Sequence, residues 1–140
     1  MSEMVEQKVI EKVRRTLLDD ADIKGYIGDR VYAAHVSTIS SPKYPAISLT
    51  LMPGQARTDV PEMVNMTFRV DLWFPSADYT VDDVMKCYAR IRILLHKVRL
   101  SDTEIGVKIM QIRESGIGPM LYDIDMAGHH LPARYAVVCI

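Results

Sequence analysis

From Met66 to Phe74 apolar and polar side chains alternate, with Met66, Phe68, Val70, Leu72 and Phe74 set against Thr67, Arg69, Asp71 and Trp73. That is the period of a β-strand with one buried face. Pro75 ends the run, and beyond Ser76-Ala77-Asp78-Tyr79 the hydroxyl of Thr80 is placed to cap a helix. Val84, Cys87, Ile91, Leu94, Leu95 and Val98 then recur at helical spacing, so the pattern predicts an amphipathic helix reaching Val98. A second such stripe, Val5, Val9, Val13 and Leu17 with Ile10 alongside, faces away from Lys8, Glu11, Lys12 and Arg15 and predicts a helix over Glu3 to Leu18. Asp19-Asp20-Ala21-Asp22 breaks it. Asp20 or Asp22 then caps a short turn carrying Ile23, Tyr26 and Ile27, which Gly28 ends.

The remaining segments read as strands. Val31 to Val36 is a short one, and a Ser- and Pro-rich loop runs from Ser37 to Pro45. Ala46 to Met52 alternates Ile47, Leu49 and Leu51 with Ser48 and Thr50, which predicts pairing with Met66 to Phe74 as an antiparallel hairpin. The connection Pro53 to Asn65 is far longer than the usual two to five residues of a hairpin loop and reads as an arm. Strands are also expected over Ile105 to Ile112, over the alternating Met120, Tyr122, Ile124 and Met126, and from Arg134 to Ile140. Gly116-Ile117-Gly118-Pro119 forms a turn, and Ala127-Gly128-His129-His130 interrupts the last pair. The order predicts one α+β domain spanning residues 1–140. It has a mostly antiparallel sheet, two main helices packed on one face and a long hairpin arm.

Composition narrows the function more than it names one. With 140 residues and 49% apolar content the chain can bury a single core. A formal net charge of -1 gives no global attraction to nucleic acid or to an anionic membrane. The N-terminus carries acids in place of a basic leader and no run is long enough to span a bilayer, so the chain reads as soluble and intracellular. Cys87 and Cys139 fall on apolar faces and read as small hydrophobes, and the nine methionines as gap fillers.

Candidate chemistry is sparse. Asp123 and Asp125 share one face of an expected strand with His129 and His130 close behind, a set loosely resembling hard-metal or nuclease ligands. The plainer reading makes them a polar strand face and a loop. His35 and His96 stand alone, and neither a nucleophile elbow nor a phosphate loop appears. Neither a cofactor nor a catalytic residue is expected. Lys86, Arg90 and Lys97 gather on the outer side of the predicted helix as a candidate basic face for non-specific contact with passing DNA, although Asp82 and Asp83 partly neutralise it. Trp73 and Ile93 point outward on adjoining elements, and Arg57, Asp59 and Glu62 lie in the arm. These five are the expected subunit contacts.

The order of these features resembles the tail-completion or tail-terminator proteins of tailed bacteriophages. The likeness is carried by Leu17-Leu18-Asp19-Asp20 with Ile23, by Ile27-Gly28-Asp29-Arg30-Val31-Tyr32, by Tyr44-Pro45-Ala46-Ile47, by Phe68 to Phe74, by the helix from Val81, and by Arg134-Tyr135-Ala136-Val137. It extends over nearly the whole chain, apart from the arm from Pro53 to Asn65. The resemblance implies a virion structural protein and not an enzyme. Such a protein would be made in the host cytoplasm and form a ring of six copies that ends the tail tube at the neck and meets head-tail connector proteins. Two other readings fit the same residues. One is a small α+β ligand-binding module with a closed apolar pocket, and the other a metal-dependent nuclease built on Asp123, Asp125 and His129.

Overall fold

The computed structural model describes residues 5–33, 42–56, 64–102 and 107–139. In chain order the elements are α1 (Val5–Leu18), α2 (Ala21–Ile27), β1 (Val31–Tyr32), β2 (Ala46–Ala56), β3 (Val64–Pro75), α3 (Val81–Leu95), β4 (Val98–Asp102), β5 (Val107–Ile117), β6 (Leu121–Asp123) and β7 (Gly128–Cys139). The strands form one sheet in the order β1-β2-β3-β7-β5-β4, with β6 paired to β7. Among the described residues β1 and β2 run parallel and every other pair is antiparallel. This is the expected α+β class.

Alternation places the core. On β3 Met66, Phe68, Val70, Leu72 and Phe74 turn to the helices, joined by Ile47 and Leu49 of β2 and by Leu131, Ala133, Tyr135, Val137 and Cys139 of β7. Against this face pack Val9, Val13 and Leu17 of α1, Ile23 and Ile27 of α2, and Val84, Cys87, Ile91 and Leu95 of α3. Phe68 stacks on Tyr135 with ring centroids 5.5 Å apart, and Phe74 meets Tyr26 and Tyr79 edge-on. Burial pushes the Cys87 thiol up to about 12, as suits a small hydrophobe in the core.

Several boundaries differ from the sequence expectation, each for a tertiary reason. The β2–β3 hairpin continues past a register shift between Met52 and Gln55 to the pair Ala56↔Val64. Residues 53–56 and 64–65 of the expected arm are therefore strand, and residues 57–63 lie outside the described residues. Helix α3 stops at Leu95. Val98 opens β4, a strand absent from the sequence reading, because pairing with β5 (Val98↔Ile112) outweighs a helical pattern that runs on for one more turn. Gly128, His129 and His130 do not interrupt the fold, for they begin β7 and pair with Pro75, Phe74 and Trp73. The strand expected over Met120 to Met126 shrinks to β6, followed by a turn at 124–127. A Cβ at residue 128 would collide with the Phe74 carbonyl and come within 2.8 Å of the Pro75 Cα, so the close approach of β7 to the end of β3 requires Gly128.

The helices are tied to one another by Asp20. Its side chain caps α2 by accepting from the Ile23 N–H at 3.1 Å, and it also receives the Arg90 guanidinium of α3, with Nη2 2.7 Å from Oδ1. Arg90, the hydrogen bond from the Ile23 N–H and Coulombic attraction hold the Asp20 carboxyl below its ordinary value, while burial acts against them. Since the folded-state pKa lies below the unfolded one, this stabilisation is present above about pH 4 and is lost as pH falls through the folded value. Asp20→Ala is expected to cost about 1 to 2 kcal/mol, the upper part of the range for a lost N-cap, because the pair with Arg90 goes with it. Urea unfolding should show the deficit at pH 7 and a smaller one near pH 3.

Candidate interaction surface

Three places on the described surface combine chemistry with exposure or unusual burial. The first lies on the sheet face away from the helices. Register sets Ser48 opposite Asp71, and Trp73 opposite His130. The two rings stack with centroids 3.8 Å apart and planes 7° from parallel, and the indole Nε1–H donates to Ser48 Oγ at 2.9 Å. Asp71 is fully buried. Its Oδ1 accepts from Arg69 Nη2 at 2.8 Å and from His130 Nε2 at 2.7 Å. A carboxylate has only acceptor sites, so the contact places the imidazole proton on Nε2.

Trp73 therefore does not stand free as the outward aromatic read from the sequence, because it is 3% exposed. It sits on a central strand where flat neighbours on β2 and β7 cover it. The expectation failed because alternation tells which face a residue takes, not what covers that face. The signal that was available is the pairing of a strand Trp with Ser48 and His130, each able to satisfy or stack on an indole.

The candidate basic face does not form as a face. Lys86 pairs with Asp82 at 3.0 Å one turn away, and Arg90 is bound to Asp20 and lies 3.5 Å from Asp22. Lys97 falls beyond α3, at φ 59, where its N–H donates to the Ile112 carbonyl at 2.7 Å. Helix α3 starts as expected, since Thr80 caps it and the Asp83 carboxylate accepts from the Thr80 N–H in return.

The second place is a groove of about 640 Å³ between α3 and the end of β5. Met85, Ala89 and Ile93 give it an apolar wall, Ile117 faces them from β5, and Arg92, His96 and Glu114 provide its polar groups. Arg92 Nε lies 2.9 Å from Glu114 Oε2, and the Glu114 N–H donates to His96 Nδ1 at 3.0 Å. Tyr88, which also lines the groove, pairs its hydroxyl with that of Tyr135 at 2.9 Å, and burial raises both phenols, that of Tyr135 to about 12. Ile93, expected at the surface, is 66% exposed. Glu114 and Ile117 were missed as its far wall, because β5 was expected to end at Ile112.

The third place is the turn joining β6 to β7. Leu121, Tyr122 and Ile124 stand exposed on it, Ile124 at 85%. Asp123, a candidate metal ligand, accepts from the Met126 N–H at 2.9 Å and so closes the turn, while Asp125 is exposed. His129 sits in β7 opposite Phe74 and His130 is bound to Asp71, which separates the four residues of the metal reading. Among the described residues no group of three or more His, Cys, Asp or Glu is arranged to hold a metal ion. Arg57, Asp59 and Glu62 lie outside the described residues. No helix among those described is long and apolar enough to cross a membrane.

The sequence matches no protein-family model and no curated protein. The fold does find a match. Over 99% of this chain and 98% of the other it is similar to a chain from a solved structure described as the virion of a native gene transfer agent particle, with a TM-score of 0.71 and 12% sequence identity. At that identity the likeness is one of fold.

The sheet-face cluster generates its own prediction. Asp71→Ala leaves both Arg69 and His130 without their partner and is expected to cost on the order of 3 kcal/mol, the scale for breaking a buried ion pair. Trp73→Phe, which loses the bond to Ser48 and part of the stack on His130 but removes no charge, should cost less, about 1 to 2 kcal/mol. Chemical denaturation of the two variants checks the ranking, and equal losses would mean that the carboxylate is not the centre of the cluster.

Proposed function

We propose that this chain is a structural protein of a phage-like virion. In this reading copies of it form a ring, six in number, at the head-proximal end of the tail tube. The ring ends the tail and joins it to neck or connector proteins. The observation that carries the reading is the likeness of fold, which extends over essentially the whole of both chains and involves a component of a particle. The sequence features given above point the same way by independent means. A ring subunit also needs apolar surface left over after folding, and α3, β5 and the β6 turn supply it. Nothing in this role calls for a reactive residue.

Arg57, Asp59 and Glu62, which lie in sequence between β2 and β3 and outside the described residues, would add to the contact, with Ile93 contributing from α3. Trp73, being covered within its own chain, drops out of the interface.

The test is a particle made without the chain. Deleting its coding sequence should leave filled heads and separate tails, or tails of uncontrolled length, under the electron microscope, and complementation should restore joined particles. Arg57→Glu should give partial rescue whose deficit shrinks with rising salt, because salt screens the like-charge repulsion that replaces the ion pair. Joined particles at normal yield in the deletion would overturn the reading.

A further inference from the structure

Every large hydrophobic residue that stands exposed among the described residues lies on α3, at the end of β5, or on β6 and its turn. Large apolar side chains left in water side by side are what a partner would cover. This surface has two forms. Met85, Ile93 and Ile117 line the concave groove, whereas Leu121, Tyr122 and Ile124 project from a turn.

We propose that the β6–β7 turn of one copy of this chain seats in the α3–β5 groove of a neighbouring copy, and that this contact repeats head to tail. The inference rests on the ring reading and names its interface. Sheet register supports it. Ile117 pairs with Ala133, whereas the turn lies beyond Gly128, five residues further along β7 and thus about 17 Å away at the rise of a strand. Higher still, the helical end of the groove at His96 adjoins Lys97, which bonds to Ile112 opposite Val137. None of the turn's residues lines the groove of its own chain. Two different patches on one subunit make a heterologous contact, which a rotation closes into a ring, whereas a single self-complementary patch would stop at a dimer.

Charge fits as well. Asp125, beside Ile124, has no partner among the described residues, and Arg92 in the groove is 57% exposed while bound to Glu114 through Nε. A neighbour's Asp125 would extend that ion pair.

The experiment uses the full chain. Ile124→Asp and Ile93→Asp change well-exposed side chains, so melting temperature and circular dichroism should stay as in the wild type. Each should weaken assembly roughly tenfold or more, read by sedimentation velocity across a concentration series. The directional test is crosslinking with a bismaleimide. An equal mixture of Ile124→Cys and Ile93→Cys chains should give a covalent dimer that neither variant gives alone, the native Cys87 and Cys139 being buried. A crosslink in one variant alone at the yield of the mixture would overturn the head-to-tail contact. Rings unaffected by both Asp variants would overturn the interface and leave the ring reading standing. A wild-type chain that remains monomeric at the highest concentration would overturn both.

Discussion

The two-sided burial of β3 is the constraint on which the rest of the structure depends. It pairs with β2 on one side and with β7 along its whole length on the other, from Val64↔Cys139 to Pro75↔Gly128. Its inner face supplies the middle of the core through Phe68, Val70 and Leu72, while its outer face buries Asp71 and Trp73. A strand in that position has no room for a register slip. Moving by one residue would put Asp71 against the helices and Phe68 and Phe74 among the polar groups around Ser48 and His130. The turn after Pro75 then directs α3 back across the sheet, and Gly128 lets β7 start close beside that turn.

Most of this was legible from the chain itself, because a strand with one apolar face and helices with one apolar stripe repeat at fixed periods. The stripes Val9, Val13 and Leu17 and Val84, Cys87 and Ile91, and the cap residues Asp20 and Thr80, are found where the pattern put them. What was not legible depended on partners distant in sequence. Val98 continues a helical spacing but is taken by β5, and His129 and His130 look like loop residues until Phe74 and Trp73 are set opposite them. The charges of α3 read as one face only while Lys97 is counted on the helix and Asp20 is out of sight.

The surface was read less well than the core for the same reason. Trp73 appeared free because nothing in local alternation records that His130 lies flat against it. The groove beside α3 was invisible because it needs Glu114 and Ile117 on a strand that runs further than its own periodicity shows. Ile93 stands exposed as its helical position required. Folding thus ties Ser48, Trp73, His130 and one oxygen of Asp71 together on the sheet's outer face and leaves apolar surface on the α3 side, and this asymmetry is what a subunit of a larger assembly needs.

Native mass spectrometry of the purified full-length chain tests that account most directly, because the mass of one copy, 15.9 kDa, makes the number of copies readable without calibration by shape. The account predicts that, as concentration rises, a closed species of six copies takes over from monomer with no unlimited series of larger masses. A monomer at every concentration, or an isolated dimer that grows no further, would contradict it.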